Sequence, residues 1–272
     1  MTTQYRKRRS ALYMPGSNAR ALEKAKTLDA DVLIFDLEDA VAPDQKAVAR
    51  DMVTEAVYAG DYGECEIVIR VNGLDTPWGA EDIAAATEAR PDAILLPKVE
   101  SGFQIADAMC GTTPVWAMIE TPRAIQNLAE IAATRVETLV VGINDLAKEM
   151  RARIAPGRAA FQTALQLIVL AARAEGKTAL DGVWNDIADG EGLAAECAEG
   201  AALGFDGKTL IHPSQIEAAT RAFSPTGEEL AHARAVIAAF TAEPGAGVLK
   251  VDGRMTERLH LSEAERIVRL AD

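Results

Sequence analysis

Short apolar runs alternate with Ala-rich amphipathic stretches along the whole chain. The runs are Ala11–Met14, Val32–Leu37, Ile67–Val71, Ala93–Leu96, Val115–Ile119, Thr138–Val141, Thr178–Leu180 and Gly207–Ile211. Runs of this length, rich in Val and Ile, have the signature of parallel strands buried on both faces. The stretches between them, about 17–29, 45–59, 79–89, 101–110, 122–133, 157–176, 189–202 and 213–222, read as helices. Pro43-Asp44, Thr76-Pro77 and Thr121-Pro122 stand at helix starts, where a missing N–H is harmless and a Thr or Asp side chain caps free backbone donors. Gly60, Gly176 and Gly204 stand at helix ends, where the chain turns left-handed. Eight strand–helix units predict a closed (β/α)8 TIM barrel, an α/β fold, over residues 1–222. An open doubly wound sheet is the alternative that periodicity does not separate. Residues 223–272 predict a C-terminal helical extension: a helix over about 226–241, a break at Pro244-Gly245-Ala246-Gly247, a strand pair around Val248–Met255 and a last helix from about 261. A tail beyond a closed barrel has to pack somewhere, and a neighbouring subunit is the expected place.

In such a barrel the C-terminal strand ends form the reactive face. Polar residues follow the runs consistently: Asp36-Leu37-Glu38-Asp39, Arg70-Val71-Asn72, Lys98, Glu120, Asn144-Asp145, Asp181, and Lys208 with His212. Charges there must pair, bind metal or meet substrate. Glu120 and Asp145, with no Cys or His pair beside them, make a hard oxygen site of the kind that suits Mg2+. Equally, each stands where it could cap the following helix. Arg70 has the planar fork that binds a carboxylate or a developing oxyanion, or else forms a structural ion pair with Asp36 or Glu38. Lys98 suits a Schiff base in isolation, but a metal site beside it favours an electrostatic role. His212, before a helix start, reads as a hydrogen-bonded structural residue, and His232 and His260 as surface residues of the tail.

Composition narrows the classes. The 272 residues carry 28 Lys+Arg and 41 Asp+Glu, a net charge of −13, which argues against a nucleic-acid partner. The charge is uneven: residues 1–26 hold seven basic groups and one acidic, net +6, and the rest hold 21 and 40, net −19. Arg6–Arg9 and Arg20 therefore suggest a basic entrance beside the first strand, suited to phosphates. Cys65, Cys110 and Cys197, odd in number and without a CxxC, predict reduced thiols in a cytoplasmic protein. No apolar run approaches the roughly 18 residues of a membrane span, and the basic start lacks the apolar stretch of a signal peptide. Gly204–Thr209 echoes a P-loop but lacks its first Gly, and Gly245-Ala246-Gly247 lacks a Rossmann context. There is no GxSxG elbow.

Taken together, several segments resemble the citrate lyase β-subunit-like branch of the HpcH/HpaI aldolase/citrate lyase family. They are Arg9–Asn18, Phe35–Pro43, Arg70–Gly79, Leu96–Ser101, Ile119–Pro122, Gly142–Leu146 and Gly207–Pro213. The resemblance runs through nearly the whole chain, ending with Gly245–Met255. It implies a Mg2+-dependent barrel acting on CoA thioesters of 3-hydroxy acids, as a homo-oligomer, trimer or hexamer. It implies Glu120 and Asp145 as metal ligands, Arg70 as the substrate arginine, and Glu38 and Asp39 as the acidic pair. Arg20, from the basic entrance, and Lys98, from its place at a strand end, are expected as substrate contacts. Long lyases of the family carry a tail Asp that reaches a neighbour's active site; here Glu257 holds that position. The expected reaction is retro-Claisen cleavage of malyl-, citramalyl- or citryl-CoA to acetyl-CoA and a 2-oxoacid. The alternatives are a thioesterase on the same esters, a carrier-protein-dependent β subunit of a citrate lyase complex, and a barrel that binds CoA or an oxoacid without turnover.

Overall fold

A computed structural model describes residues 6–271, so residues 1–5 and Asp272, the ends of the two expected domains, lie outside the described residues. All eight apolar runs are strands: β1 (Ser10–Pro15), β2 (Val32–Asp36), β3 (Glu66–Arg70), β4 (Ala93–Leu96), β5 (Val115–Ile119), β6 (Val136–Val141), β7 (Thr178–Asp181) and β8 (Gly207–Leu210). They pair in parallel in chain order, and β8 pairs back to β1, which closes the barrel and excludes the open sheet. The helices are α1 (Ala19–Ala25), α2 (Lys46–Ala59), α3 (Gly79–Ala89), α4 (Gly102–Asp107), α5 (Pro122–Gln126), α6 (Leu128–Ala132), α7 (Ile143–Met150), α8 (Gln162–Ala174), α9 (Gly190–Leu203) and α10 (Ile216–Ala222).

Within the barrel, two helical stretches differ from expectation and one helix was not expected. The stretch 122–133 is two short helices, because Asn127 leaves helical geometry (φ −104°, ψ 13°) and its side chain donates to the Glu100 carbonyl at 2.7 Å. Residues 157–161 are not helical, and α8 begins at Gln162. Helix α7 follows β6 directly with Gly142 as its N-cap. No Pro, Ser or Thr marks that start, so the usual cues are missing.

Strand side chains alternate between the two faces. Ala11, Val32, Ile34, Val68, Ala93, Leu95, Trp116, Met118, Val140 and Leu180 fill the barrel axis. The intervening residues of each strand, such as Leu33, Phe35, Ile69 and Leu139, are equally buried and lie on the opposite face of the strands, toward the helices. The N-terminal end of the barrel is sealed by charge. Arg8 donates from Nε and Nη2 to both oxygens of Glu66 (2.7 and 2.6 Å) and from Nη1 to Thr138 and Thr178 (3.0 and 3.1 Å). Its guanidinium also lies 4.8 Å from the Trp116 ring centroid. Gly207 is required here, since a Cβ at that position would collide with the Arg8 carbonyl. Arg9 pairs with Asp31, just before β2, at 2.7 Å. The basic entrance expected from Arg6–Arg9 is thus wrong for Arg8 and Arg9. Both are neutralised at the end of the barrel opposite the strand C-termini.

The chain divides within α10, after Thr220. The second unit contains α11 (Gly227–Ala242), a hairpin of β9 (Val248–Val251) and β10 (Arg254–Glu257), and α12 (Arg258–Ala271). The hairpin turns at Asp252-Gly253, both with positive φ (48° and 79°), as a tight two-residue turn demands. Ala233, Val236, Phe240, Val251 and Ala264 form the core of this unit. Helix α12 starts at Arg258, three residues before the expected start. No helix among the described residues is long and apolar enough to cross a membrane.

Glu66 is 4% exposed and Arg8 10%. Removing the guanidinium from such a buried pair is expected to be costly. Arg8→Met should therefore lower stability by about 3 kcal/mol, read as a lower midpoint in thermal denaturation.

Candidate active site

The period of two that fills the barrel axis also builds the site. On β2 the inward positions run Val32, Ile34, Asp36; on β3, Val68, Arg70; on β5, Trp116, Met118 and then Glu120 just past the strand. Each series is apolar in the core and turns polar at the C-terminal end. Asp36, Arg70 and Glu120 line a cavity of about 310 Å³, together with Tyr13, Thr209 and Asp145.

Arg70 is the centre of this arrangement. Its Nε and Nη2 donate to the two oxygens of Asp36, both at 2.7 Å. The remaining nitrogen, Nη1, lies 2.9 Å from Glu38 Oε2 and 3.6 Å from Asp39 Oδ2. The guanidinium lies over the Tyr13 ring, 4.6 Å from its centroid, and the Tyr13 hydroxyl donates to Met118 Sδ at 3.4 Å. Asp36 also accepts from the backbone N–H groups of Glu38 (2.9 Å) and Ala40 (3.0 Å), so one carboxylate fixes both the guanidinium plane and the loop after β2. The ion pair of Arg70 with Asp36 and Glu38 is real, and it leaves Nη1 and Glu38 beside each other.

Glu120 is buried and does not cap α5, because the Thr121 hydroxyl does so by accepting from Ala124 N at 3.1 Å. Its Oε1 instead accepts from the backbone N–H of Lys98 at 2.7 Å, a residue held at φ +50°. Gly142 gives the carboxylate its room: a Cβ there would collide with Glu120 Oε2 and Cβ. Asp145 lies in the first turn of α7 and is half-buried; Gly142 takes the N-cap position. Burial, then the negative charge of Glu38, push the Glu120 carboxyl up to about 8, although the Lys98 N–H works against this. Burial likewise pushes Glu38 up to about 7 against the pull of Arg70. Glu38 Oε2 is buried and accepts no hydrogen bond, its contact with Nη1 being an ion pair without donor geometry.

These observations fit a divalent cation held by Glu120 and Asp145. The two are hard oxygen donors on the same cavity wall, and one of them is buried with its charge poorly compensated. No group of three or more His, Cys, Asp and Glu with metal-site geometry occurs among the described residues. A cation here would therefore keep positions for water and substrate, as Mg2+ sites with one or two carboxylates do.

The other candidates separate. Asp39 is exposed, and Lys98 is half-exposed with Nζ 3.8 Å from Glu38 Oε1. Burial lowers the Lys98 pKa, but Glu38, Asp145 and Glu120 more than offset this, so the net direction is up. That is the wrong direction for a Schiff-base amine. Arg20 is exposed on α1, outside the lining of this cavity. Glu257 ends β10 in the second unit. Asp181 and Lys208, expected among the groups at the mouth, pair with each other at 3.1 Å, with Glu196 2.7 Å from Lys208 and Arg158 2.6 Å from Asp181. Their neighbours Leu180, in the axial core, and Thr209, in the cavity lining, take the inward positions, so this pair faces the helices. His212 is structural, as expected: Nδ1 accepts from Ser214 N at 3.2 Å and contacts Ser214 Oγ at 2.8 Å. Tyr13 as a site-lining group escaped the sequence reading, and Asp36 was read only as a strand-end charge and a possible partner of Arg70. The inward series 32, 34, 36 and 11, 13 was the signal for both.

Comparison with known proteins agrees with the barrel fold. The sequence profile described as HpcH/HpaI aldolase/citrate lyase matches residues 9–213. A (3S)-malyl-CoA thioesterase of Cereibacter sphaeroides is 49% identical, covering 97% of this chain and 94% of that protein. The citrate lyase subunit beta of Leuconostoc mesenteroides subsp. cremoris is 37% identical, covering 98% and 94%. The crystal structure of CitE from Mycobacterium tuberculosis, in complex with magnesium, acetoacetate and coenzyme A, superposes with a TM-score of 0.82 at 35% identity, covering 97% of this chain and 98% of that one.

Without a cation, Glu120 keeps its proton up to about pH 8. Divalent-cation binding at pH 7 should therefore release a proton, and affinity should rise with pH through that value. Calorimetry in buffers of different ionisation enthalpy measures this. Between pH 4.5, the ordinary carboxyl value, and about 8, the folded protein binds a proton that the unfolded chain has lost. The metal-free protein should thus lose stability with rising pH across that window, and Glu120→Gln should lose less.

Proposed function

As this chain belongs to the HpcH/HpaI aldolase/citrate lyase family, we propose that it is a Mg2+-dependent enzyme that hydrolyses the thioester of a malyl-CoA-type 3-hydroxyacyl-CoA. The observation that carries the hydrolytic reading is 49% identity with a (3S)-malyl-CoA thioesterase across 97% of the chain, against 37% with a citrate lyase β subunit. Magnesium is used in this family, as the M. tuberculosis CitE complex illustrates. Held by Glu120 and Asp145, it would supply Lewis-acid charge to the substrate oxygens.

The remaining work falls to residues of the chain. Asp36 holds Nε and Nη2 of Arg70, so the guanidinium plane is fixed before substrate arrives. Nη1 is the arm that stabilises negative charge developing on the thioester carbonyl oxygen, where a pre-aligned donor is most effective. Glu38, with a carboxyl near 7 and an oxygen that accepts no hydrogen bond, serves as the base. It takes a proton from the attacking water as the new C–O bond forms. When the C–S bond breaks, Glu38 returns that proton to the leaving thiolate, giving malate and free CoA. Asp39, exposed beside Nη1, tunes the local charge, and Lys98 and Arg20 provide cations for the anionic substrate.

The second reading is carbon–carbon cleavage, favoured by the citrate lyase relatives and by the CoA and acetoacetate named for the M. tuberculosis complex. In that case the base takes the hydroxyl proton and Arg70 faces the enolate oxygen, giving acetyl-CoA and glyoxylate. Glu257, presented by a neighbouring copy in an oligomer, is the further carboxylate for that route.

One assay separates these outcomes: malyl-CoA with the enzyme and either Mg2+ or EDTA, with products read by mass. Malate and free CoA are expected with Mg2+ alone. Acetyl-CoA and glyoxylate would replace the hydrolytic reading by the lyase reading. Calorimetric binding of malyl-CoA with no product would overturn both in favour of a binding role. Asp145→Ala should cut Mg2+-dependent turnover at least about 100-fold if the ion holds the reacting oxygens.

A further inference from the structure

Behind the loop that carries Glu38 sits a buried lysine outside the site described so far. Lys46 opens α2, is 6% exposed, and donates from Nζ to the carbonyls of Leu37 (2.8 Å) and Glu38 (2.7 Å). Its ammonium also lies 5.4 Å from the Trp78 ring centroid. Burying an ammonium is costly, and an apolar side chain of similar length would fill the space with less penalty. The two carbonyls do not require it. Leu37 O also accepts from Asn72 Nδ2 at 2.8 Å, and Glu38 O from Val41 N at 3.0 Å.

What Lys46 adds is constraint at one place. Leu37 O and Glu38 O belong to the two peptide groups flanking the Glu38 Cα, so one ammonium grips both. Asp36 holds the Glu38 N–H, and Arg70 Nη1 lies against the Glu38 carboxylate. The grip is anchored in turn. Asn72 is fixed by Asp82, whose Oδ2 accepts from Asn72 Nδ2 (2.6 Å) and N (3.1 Å), and Asp82 Oδ1 accepts from Arg50 Nε at 2.7 Å. Burial lowers the Lys46 pKa, while Asp36 and Glu38 lead the charges that oppose this. The net direction is down, so these charges offset the burial of the ammonium only in part.

We infer that Lys46 is a positioning residue for Glu38, holding the backbone of the base so that its carboxylate meets the proton it transfers. This rests on the role of Glu38 proposed above. A base displaced by about 1 Å can lose on the order of 100-fold in rate.

The test uses the full-length protein with Mg2+ and malyl-CoA, comparing wild type, Lys46→Met, Lys46→Arg, Glu38→Gln and the Glu38→Gln/Lys46→Met double variant. Lys46→Met should lower kcat about 10- to 100-fold. KM and Mg2+ affinity should stay within about twofold, and the thermal midpoint should be equal to or above that of wild type, as expected when a buried charge is removed without orphaning its acceptors. Lys46→Arg should recover part of kcat. The double variant should be no slower than Glu38→Gln, because Lys46 acts through Glu38. A kcat for Lys46→Met near that of wild type would overturn the inference. So would a double variant slower than Glu38→Gln by the full Lys46→Met factor, or a large loss of thermal stability. An inactive wild type would overturn the functional reading and this inference with it.

Discussion

The barrel mouth depends on one buried ion pair. Arg70 and Asp36 are cross-strand neighbours in the β2–β3 register, and their bidentate contact is the shortest route by which two inward charges can share a closed barrel. Broken, it would leave an uncompensated charge inside a structure that cannot solvate one. Made, it fixes a guanidinium plane, ties down the loop after β2 through two backbone N–H groups, and brings Glu38 to Nη1. Glu120, two positions past the core residue Met118, remains beyond the direct reach of this pair. Its pKa is raised first by burial and then by the charge of Glu38, which Arg70 offsets only in part. A divalent cation would meet the deficit that one arginine cannot.

The same logic explains why thioester hydrolysis and carbon–carbon cleavage can share one frame. Both need charge neutralised on substrate oxygens, a base poised near neutral pH, and a fixed donor opposite a developing oxyanion. They differ in which proton the base removes, and therefore in where the substrate's hydroxyl and thioester lie relative to Glu38. On the proposed reading, the choice would be made by placement of the substrate within the cavity.

Much of this was legible in the sequence. Each apolar run became a strand, since runs too short for a helix and buried on both faces suit a parallel sheet. Glu120, Asp145 and Glu38 were singled out because they stand just past such runs, and Arg70 because it lies at the end of one. What escaped needed three dimensions. Asp181 ends β7 and Lys208 lies second in β8, yet alternation turns both outward into a network with Glu196 of α9, and adjacency to a run carries no record of which face is which. Arg8 and Arg9 looked like an anion-binding cluster because their partners Glu66 and Asp31 are distant in sequence. Helix α7 was invisible because its N-cap is a glycine retained for the sake of the Glu120 carboxylate, not for helix initiation. Local cues failed where a residue served a neighbour remote along the chain.

The Arg8 seal has a consequence for traffic. With Arg8 bound across β3, β6 and β7 and stacked on Trp116, and with aliphatic side chains filling the axis above it, the barrel is a vessel open at one end. Whatever reaches Arg70 arrives and departs through the same opening. A substrate with a small acid at its head and a long carrier arm behind it would enter head first, and the arm would then stopper the vessel. After reaction, the fragment lodged deepest leaves only once the arm has withdrawn. Passage through such a container would be ordered, last in and first out, and that order is set at the far end of the barrel from the chemistry.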